Sequence, residues 1–468
     1  MVGTAAREIK QYSKRQMTYG GKTMKTFKTK KGTTTWVRVS RDYPCPICGK
    51  ADWCAFNMQQ TKAVCMRQID HSLPSCMGGT LYTLTGGAKV DFSHLEVSEG
   101  EKLAPAYILH KVYSLVIATF GLTKEHIVHL KAERGLTAEQ IALRGYASAT
   151  KATHSRQVAK IERDKDGKIV SIQTIWEDLF EKNGLSRDAW VGVPGFSYDE
   201  QMQTPCFNAA FGILIPCRND WGQIVGMQVR PDDSETKTYA TIDKEFESTY
   251  RVGVKKAEDG FNYRVYTKEN FEVVCEGTTT EHEVFFDNGF SFKIKTGPKY
   301  VFVSSSGKTR GTSAKSVPHF AFPDNVLAQA KFDEQGKSRV YLMGKVDKVI
   351  VTEGLLKGDI IASVAPTSRL APLGSVLVVA MAGVSSWKPV ADKIIKYKFE
   401  EAYLAFDQDF VENDSVFDRL DDMVHYLTFE KGLVSSVLTW ETGKGLDDFL
   451  LSEASETETI KIKSYTKD

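Results

Sequence analysis

Long apolar runs are missing from this chain of 468 residues; the longest, such as Val376 to Ala382, is strand-sized. A bilayer-spanning helix takes about 20 apolar residues, so none is expected. An apolar signal core is missing too, since the start, MVGTAARE, already carries Glu8. The expectation is therefore a cytosolic protein with no membrane partner. Internal repeats and low-complexity linkers are also absent, which excludes a repeat array. Net charge is scarce, because 61 Lys+Arg against 59 Asp+Glu leave +2.

That average hides two ends of opposite sign. Residues 1–41 carry eleven Lys/Arg and only Glu8, whereas residues 400–459 carry sixteen Asp/Glu against Arg419, Lys431 and Lys444. The two stretches are about +10 and −13. A near-zero sum thus excludes no nucleic-acid partner. With 42% apolar and 26% charged residues the chain is no disordered tail. It has material for two to four packed domains at roughly 100–200 residues each.

Cysteine is sparse and unevenly placed. Of eight, Cys45, Cys48, Cys54, Cys65 and Cys76 crowd into 32 residues, while Cys206, Cys217 and Cys275 are scattered. A disulfide framework would be spread more evenly, and in a reducing compartment such a cluster points to metal. In Cys45-Pro-Ile-Cys48-Gly49 a tight turn lets two thiolates point inward. The following WCAFNMQQTKAVCMR reads as a hairpin with Cys54 facing Cys65 near its open end. Cys45, Cys48, Cys54 and Cys65 supply four thiolates for Zn2+, with His71 and Cys76 in reserve. Four protein ligands leave no position for water, so the zinc is expected to be structural. Next to a basic segment containing Trp36, the unit suits nucleic acid: cations for phosphate, aromatics for unstacked bases.

The rest divides by periodicity. Between Leu103 and Ser148 apolar residues recur at helical spacing, and Thr123 and Thr137 are placed to cap the second and third helices. From Lys151 to Phe322 short alternating runs broken by Gly, Asn and Asp take over. ILIPCRNDWGQIVGMQVR reads as a hairpin of strands 213–217 and 223–230 around Asn219-Asp220-Trp221-Gly222. The last third alternates buried strands (KVIVTEG, VLVVAMAG, EAYLAFDQD, VSSVLTW) with helices, the pattern of a parallel α/β sheet. The expected division is a basic segment 1–42, a cysteine unit 43–85, a helical then β-rich domain 100–335, an α/β domain 340–455 and a tail 456–468.

Two of those strands end in acid. Val349-Ile350-Val351-Thr352-Glu353-Gly354 places a carboxyl outside the strand terminus, where open α/β sheets bind ligands. Two strand-helix units later Tyr403-Leu404-Ala405-Phe406-Asp407-Gln408-Asp409 ends another buried strand, and strand alternation puts the Asp407 and Asp409 carboxyls on one side. Three such carboxyls repel one another unless a hard cation sits between them, and an oxygen-only set suits Mg2+ or Mn2+. Asp447-Asp448, opening the helix beyond the last strand, stands ready to complete the site. Ser306-Gly307-Lys308-Thr309 is like the end of a P-loop, but Phe302 stands where its first Gly belongs and no helix start follows; a basic loop contacting phosphate is expected instead.

EG, a strand, a helix and then DxD resemble the TOPRIM domain, and the order cysteine unit, middle domain and acidic α/β domain resembles the DnaG-like primases, especially those of plasmids, phages and other mobile elements. LKAERGLTAEQIALRGYAS, FGILIPCRNDWGQIVGMQVR and GPKYVFVSSS resemble segments of the primase core. The resemblance covers about residues 43–450. It implies a small β zinc ribbon, a mixed α+β primase core and a TOPRIM Rossmann-like parallel α/β domain. It further implies RNA-primer synthesis from ribonucleoside triphosphates on a single-stranded DNA template, with a separate replicative helicase as a further partner. By the same resemblance Glu353, Asp407 and Asp409, with Asp447, hold the catalytic metal. Arg230, Lys299 and Tyr300 line the cleft, with Arg218, Lys308 and Arg310 as further candidates. The chain departs from that pattern in its cysteine spacing, in a long insertion between Arg230 and Lys299, and in FVEND after the DxD. A topoisomerase would need a tyrosine on a further domain, for which residues past 450 leave no room. A TOPRIM-type nuclease and a non-catalytic DNA-binding replication protein remain as alternatives.

Overall fold

The computed structural model describes residues 26–28, 35–39, 44–50, 54–57, 60–68, 73, 75–76, 79–84, 101–200, 202–232, 238–243, 245–411 and 413–467. Most of the basic segment 1–42 and His71 lie outside them, and of Cys76 only the backbone is described. The chain forms two compact units, Met1–Lys102 and Leu103–Asp468. The mixed α/β, multi-sheet architecture expected from the sequence is present.

The first unit is one antiparallel sheet, in the order Thr26–Lys28, Thr35–Arg38, Ala55–Asn57, Lys62–Cys65, Gly79–Thr83, Ser75–Cys76. The hairpin expected around Phe56 and Ala63 forms, with Ala55 opposite Val64. Asn57 fixes its turn: the side-chain oxygen accepts from the amides of Thr61 at 2.9 Å and Lys62 at 2.7 Å. Its interior is Val37, Val39, Phe56 and Ala63 packed with Cys45, Cys54 and Cys65.

The second unit opens with three helices, α1 (Ala106–Phe120), α2 (Lys124–Ala132) and α3 (Ala138–Arg144). Thr123 caps α2 by accepting from the amide of His126. Thr137 forms a capping box whose partner is Gln140, three positions on. A four-stranded antiparallel sheet follows: β1 (Ala147–Ala149), β2 (Gly212–Arg218), β3 (Ile224–Pro231) and β4 (Val301–Phe302), in the order β4-β3-β2-β1. The expected β2–β3 hairpin is there, with β2 one residue longer at each end and β3 shifted by one residue. Asn219 closes it, accepting from the amides of Trp221 and Gln223, and Gly222 takes a φ of 73°. Val112, Val116 and Phe120 of α1 pack with Leu214, Met227 and Val229 of this sheet.

Between β3 and β4 lies the long insertion. It forms two three-stranded sheets, Thr238–Ile242 with Ser291–Thr296 and Glu283–Phe285, and Tyr250–Ala257 with Gly260–Thr267 and Val273–Thr279. Phe261, Val265, Phe290, Phe292 and Ile294 give it a core of its own.

The last third is a six-stranded sheet. Its elements are β5 (His319–Ala321), β6 (Lys348–Glu353), α4 (Leu355–Val364), β7 (Val376–Met381), α5 (Trp387–Tyr397), β8 (Glu401–Ala405), α6 (Asp414–Val424), β9 (Val434–Thr439), α7 (Leu446–Leu451) and β10 (Lys461–Tyr465). The strand order is β5-β7-β6-β8-β9-β10. The four inner strands are parallel, as the alternation of strands and helices requires, and the edge strands β5 and β10 run antiparallel. Thus the segment 456–468, expected as a tail, contributes an edge strand. Strand alternation sends Val349 and Val351 to the face covered by α5 and α6. Ile350 goes to the face covered by α4 and α7. Both faces are buried, which is why these strands read as continuous apolar runs.

Candidate active site

Four carboxyls gather around the carboxyl ends of β6 and β8. Glu353 is the last residue of β6; Gly354, at a φ of 84°, then turns the chain straight into α4. Glu353 is largely buried and its Oε1 has no hydrogen-bond partner. Burial, with the negative charge of Asp407 adding to it, pushes this carboxyl up to about 7. Asp407 follows the end of β8 and is itself buried at 9% exposure.

Asp407 and Asp409 do come together, but not by strand alternation. The strand β8 stops at Ala405, and Gln408–Val411 is a single 3₁₀ turn. The pair is joined by Lys444, whose Nζ lies 2.6 Å from Asp409 Oδ2 and 3.6 Å from Asp407 Oδ2. The turn, and not a longer strand, sets their common direction.

Asp447 stands in the first turn of α7 with no solvent exposure, and both its oxygens are unpartnered. Burial raises its pKa to about 6, against the pull of nearby Lys357. A buried carboxyl without a donor is costly unless something at that place supplies positive charge. Asp447 and the orphaned Glu353 Oε1 are oxygen donors of the type that hard divalent cations take.

Besides Lys444, three further cations surround the same place, and two of these three were not singled out in the sequence. Lys357, one turn into α4, donates to Asp407 Oδ1 at 2.5 Å. Arg134, just beyond α2, lies 3.8 Å from Asp448, and its buried Nε has no partner. Arg230, near the end of β3, is the third. All three face Tyr300, with Asp447: burial raises the phenol's pKa, and the charges of Arg134, Arg230 and Lys357 oppose the rise. Arg134 sits in LKAERG, where a basic residue after a helix looks like any solvated end; Lys357 looks like an ordinary helix lysine.

The other expected basic residues are placed differently. Lys299 is exposed, next to Tyr300 in the chain. Lys308 and Arg310 belong to a turn packed on the other half of the core, with Arg310 stacked 4.9 Å over Trp190 and the Thr309 carbonyl accepting from the Tyr198 amide. No helix follows that turn, in keeping with the rejected P-loop. Arg218 is a correction. It is buried, donating to the Arg144 carbonyl at 2.7 Å and, less closely, to Gly222. An arginine flanking a turn reads as a surface cation, yet here the side chain is buried and two of its donors go to backbone carbonyls.

Beneath the carboxyls lies a saturated ionic network. Asp359 of α4 accepts from Arg144 Nη1 at 2.7 Å, Tyr146 Oη at 2.9 Å and His319 Nε2 at 3.1 Å. Arg144 also donates to Ser363, the Phe322 carbonyl and Asp324. Gly358 lets α4 lie close on the sheet, since a Cβ there would come 2.9 Å from that of Ala380. The helix that carries Lys357 is therefore fixed against both the helical half and the parallel sheet.

In the first unit the Sγ atoms of Cys45, Cys48, Cys54 and Cys65 lie within 4.8 Å of one another. The turn Pro46–Cys48 brings the first pair in, with Gly49 at a φ of 69° donating to the Cys45 carbonyl. The amides of Met66 and Gln68 point at the sulfurs of Cys54 and Cys65. Burial pushes the thiols of Cys45 and Cys54 up, the latter to about 11. Without a cation the Cys45 and Cys54 thiols would stay protonated; the donor set and its spacing fit a tetrahedral metal.

No family model and no curated protein matches this chain. Among solved structures it is similar to the zinc-binding and RNA polymerase domains of the Aquifex aeolicus primase, at 10% identity and a TM-score of 0.40, over 93% of this chain and 81% of that one. It is also similar to the RNA polymerase domain of Mycobacterium tuberculosis primase DnaG in complex with a double-stranded DNA oligomer carrying a 6-nucleotide overhang, at 13% identity and a TM-score of 0.39, over 76% and 79% of the two chains. A DnaG primase catalytic domain bound to ssDNA gives 11% identity and a TM-score of 0.38, over 75% of each chain.

Proposed function

We propose that the chain is a primase-type nucleotidyltransferase, which joins ribonucleotides on a single-stranded DNA template at a TOPRIM-like site. The observation that carries this is the meeting of Glu353, Asp407, Asp409 and Asp447 with Arg134, Arg230 and Lys357 at the carboxyl ends of parallel strands. Carboxyls alone would serve any metal enzyme. Carboxyls faced by two arginines and a lysine suit a triphosphate substrate beside its metal.

In this role Glu353, Asp407, Asp409 and Asp447 would hold Mg2+ or Mn2+, which when bound offsets phosphate charge and lowers the pKa of an attacking 3′-hydroxyl. Arg134 and Arg230 bind and orient the triphosphate, holding the reacting phosphorus in line with the hydroxyl. Tyr300 offers a ring and a hydroxyl at the same wall. The saturated Asp359 network keeps Glu353 and Lys357 from shifting as charge builds up. Cys45, Cys48, Cys54 and Cys65 would hold one structural Zn2+ in a unit that grips the template. The motif resemblance carries the finer reading that the protein serves a plasmid, phage or other mobile element, with a separate helicase.

The test is incubation with single-stranded DNA, labelled ribonucleoside triphosphates and Mg2+ or Mn2+. Short template-dependent products, lost in Asp407→Asn and Glu353→Gln, are expected. Degradation of the DNA without synthesis would replace this function with a nuclease; binding with neither would make the chain a DNA-binding module.

A further inference from the structure

Lys357 stands where a cation is wanted. It stands in the first turn of α4, just past Gly354, and its side chain reaches the carboxyl beyond the end of β8. Its Nζ is 2.5 Å from Asp407 Oδ1, and the side chain is only 21% exposed. On the other side is Gly445: a Cβ there would lie 2.9 Å from Lys357 Nζ and 2.3 Å from Asp447 Oδ1. The bare glycine thus leaves the gap across which the ammonium and the Asp447 carboxyl face each other. Lys444, the other ammonium, has a side chain 58% exposed and is free to swing out. Lys357 has no such freedom.

We propose that Lys357 is a built-in cation that takes the place of a second divalent ion, so that this cluster binds one Mg2+ or Mn2+ instead of a pair. The proposal rests on the metal reading of the site given above. Paired ions in phosphoryl-transfer sites sit about 3.5–4 Å apart and share a carboxylate. An ammonium in contact with Asp407 and facing Asp447 fills one of the two places. A second ion would meet the fixed charge of Lys357 at close range. The cation beside Asp447 is thereby always present and independent of free Mg2+.

The experiment counts bound Mn2+ on the full chain, zinc retained, by electron paramagnetic resonance of the free ion and by calorimetry. One Mn2+ per chain is expected on the wild type, lost in Asp407→Asn, and two on Lys357→Glu. Lys357→Met, which removes the charge without adding a ligand, is the second variant should Lys357→Glu fail to fold; it is expected to admit a second, weaker ion. Two ions on the wild type would overturn the proposal and leave the metal site standing. So would a single ion of unchanged affinity on either folded variant. No Mn2+ on the wild type would overturn the metal site itself.

Discussion

Arg144 and Asp359, 215 residues apart in sequence, meet in a buried pair with Nη1 2.7 Å from Oδ1. The arginine ends α3 and the aspartate sits in the middle of α4. This contact couples the helical half of the second unit to the helix that follows Glu353. Every partner of the carboxylate is a donor, so the charge is compensated where water cannot reach it.

Arg144→Met is expected to cost about 3–5 kcal/mol, because it leaves Asp359 charged, buried and short of its main partner. Urea unfolding of the chain measures it. Arg144→Lys should recover little of the loss, since one ammonium cannot reproduce a fork that reaches Asp359, Asp324, Ser363 and a carbonyl.

Acid should release this lock. Burial alone would raise the Asp359 carboxyl, but Arg144 and His319 outweigh it and hold it down at about 2, from an ordinary 3.8. A depressed carboxyl stabilises the fold fully above its unfolded pKa and loses that contribution as pH falls through the folded value. Stability should therefore drop by roughly 2 kcal/mol between about pH 4 and pH 2 on this account. Acid titration by circular dichroism, with Asp359→Asn showing a flatter limb, checks it.

Arg134→Ala and Arg230→Ala should each raise KM for ribonucleoside triphosphates about tenfold while leaving the melting temperature nearly unchanged. Arg218→Ala should do the reverse: it frees the carbonyls of Arg144 and Gly222 and lowers the melting temperature by several degrees. Steady-state kinetics beside thermal melts separates the two kinds of arginine.

The purified chain should carry about one zinc per chain by atomic absorption. Cys54→Ser should lose it and open the first unit to proteolysis, since Cys54 joins the core of that unit as well as the thiol cluster. Full zinc content in Cys54→Ser would exclude this ligand set.

The insertion should be dispensable for folding. Val229 pairs with Val301 and Gln228 with Phe302, so β3 and β4 already run as neighbouring antiparallel strands. Replacing residues 233–297 with a short Asn-Gly turn should leave cooperative unfolding and Mn2+ binding intact. A chain that no longer melts in one transition would show that the insertion's core supports the rest.

Much of this protein is local and so was legible in its sequence. Periodicity alone located the buried strands and covering helices of the parallel sheet. Turn chemistry located the β2–β3 hairpin around Asn219 and Gly222, and cysteine spacing located the four thiols. Glu353 was legible because a carboxyl at a strand end before Gly is a local pattern. Tertiary structure decided what depends on partners distant in the chain. Asp407 and Asp409 converge through a turn and Lys444, not through strand pleat. Arg218 is taken inward by a carbonyl 74 residues away. Lys357 and Arg134 are indistinguishable in sequence from solvated helix ends, and only packing turns them to Asp407 and Tyr300. Hydrophobic period and turn preference act over a few residues, so a sequence determines them by itself; the worth of a charge is set by whatever the fold brings within a few ångströms of it.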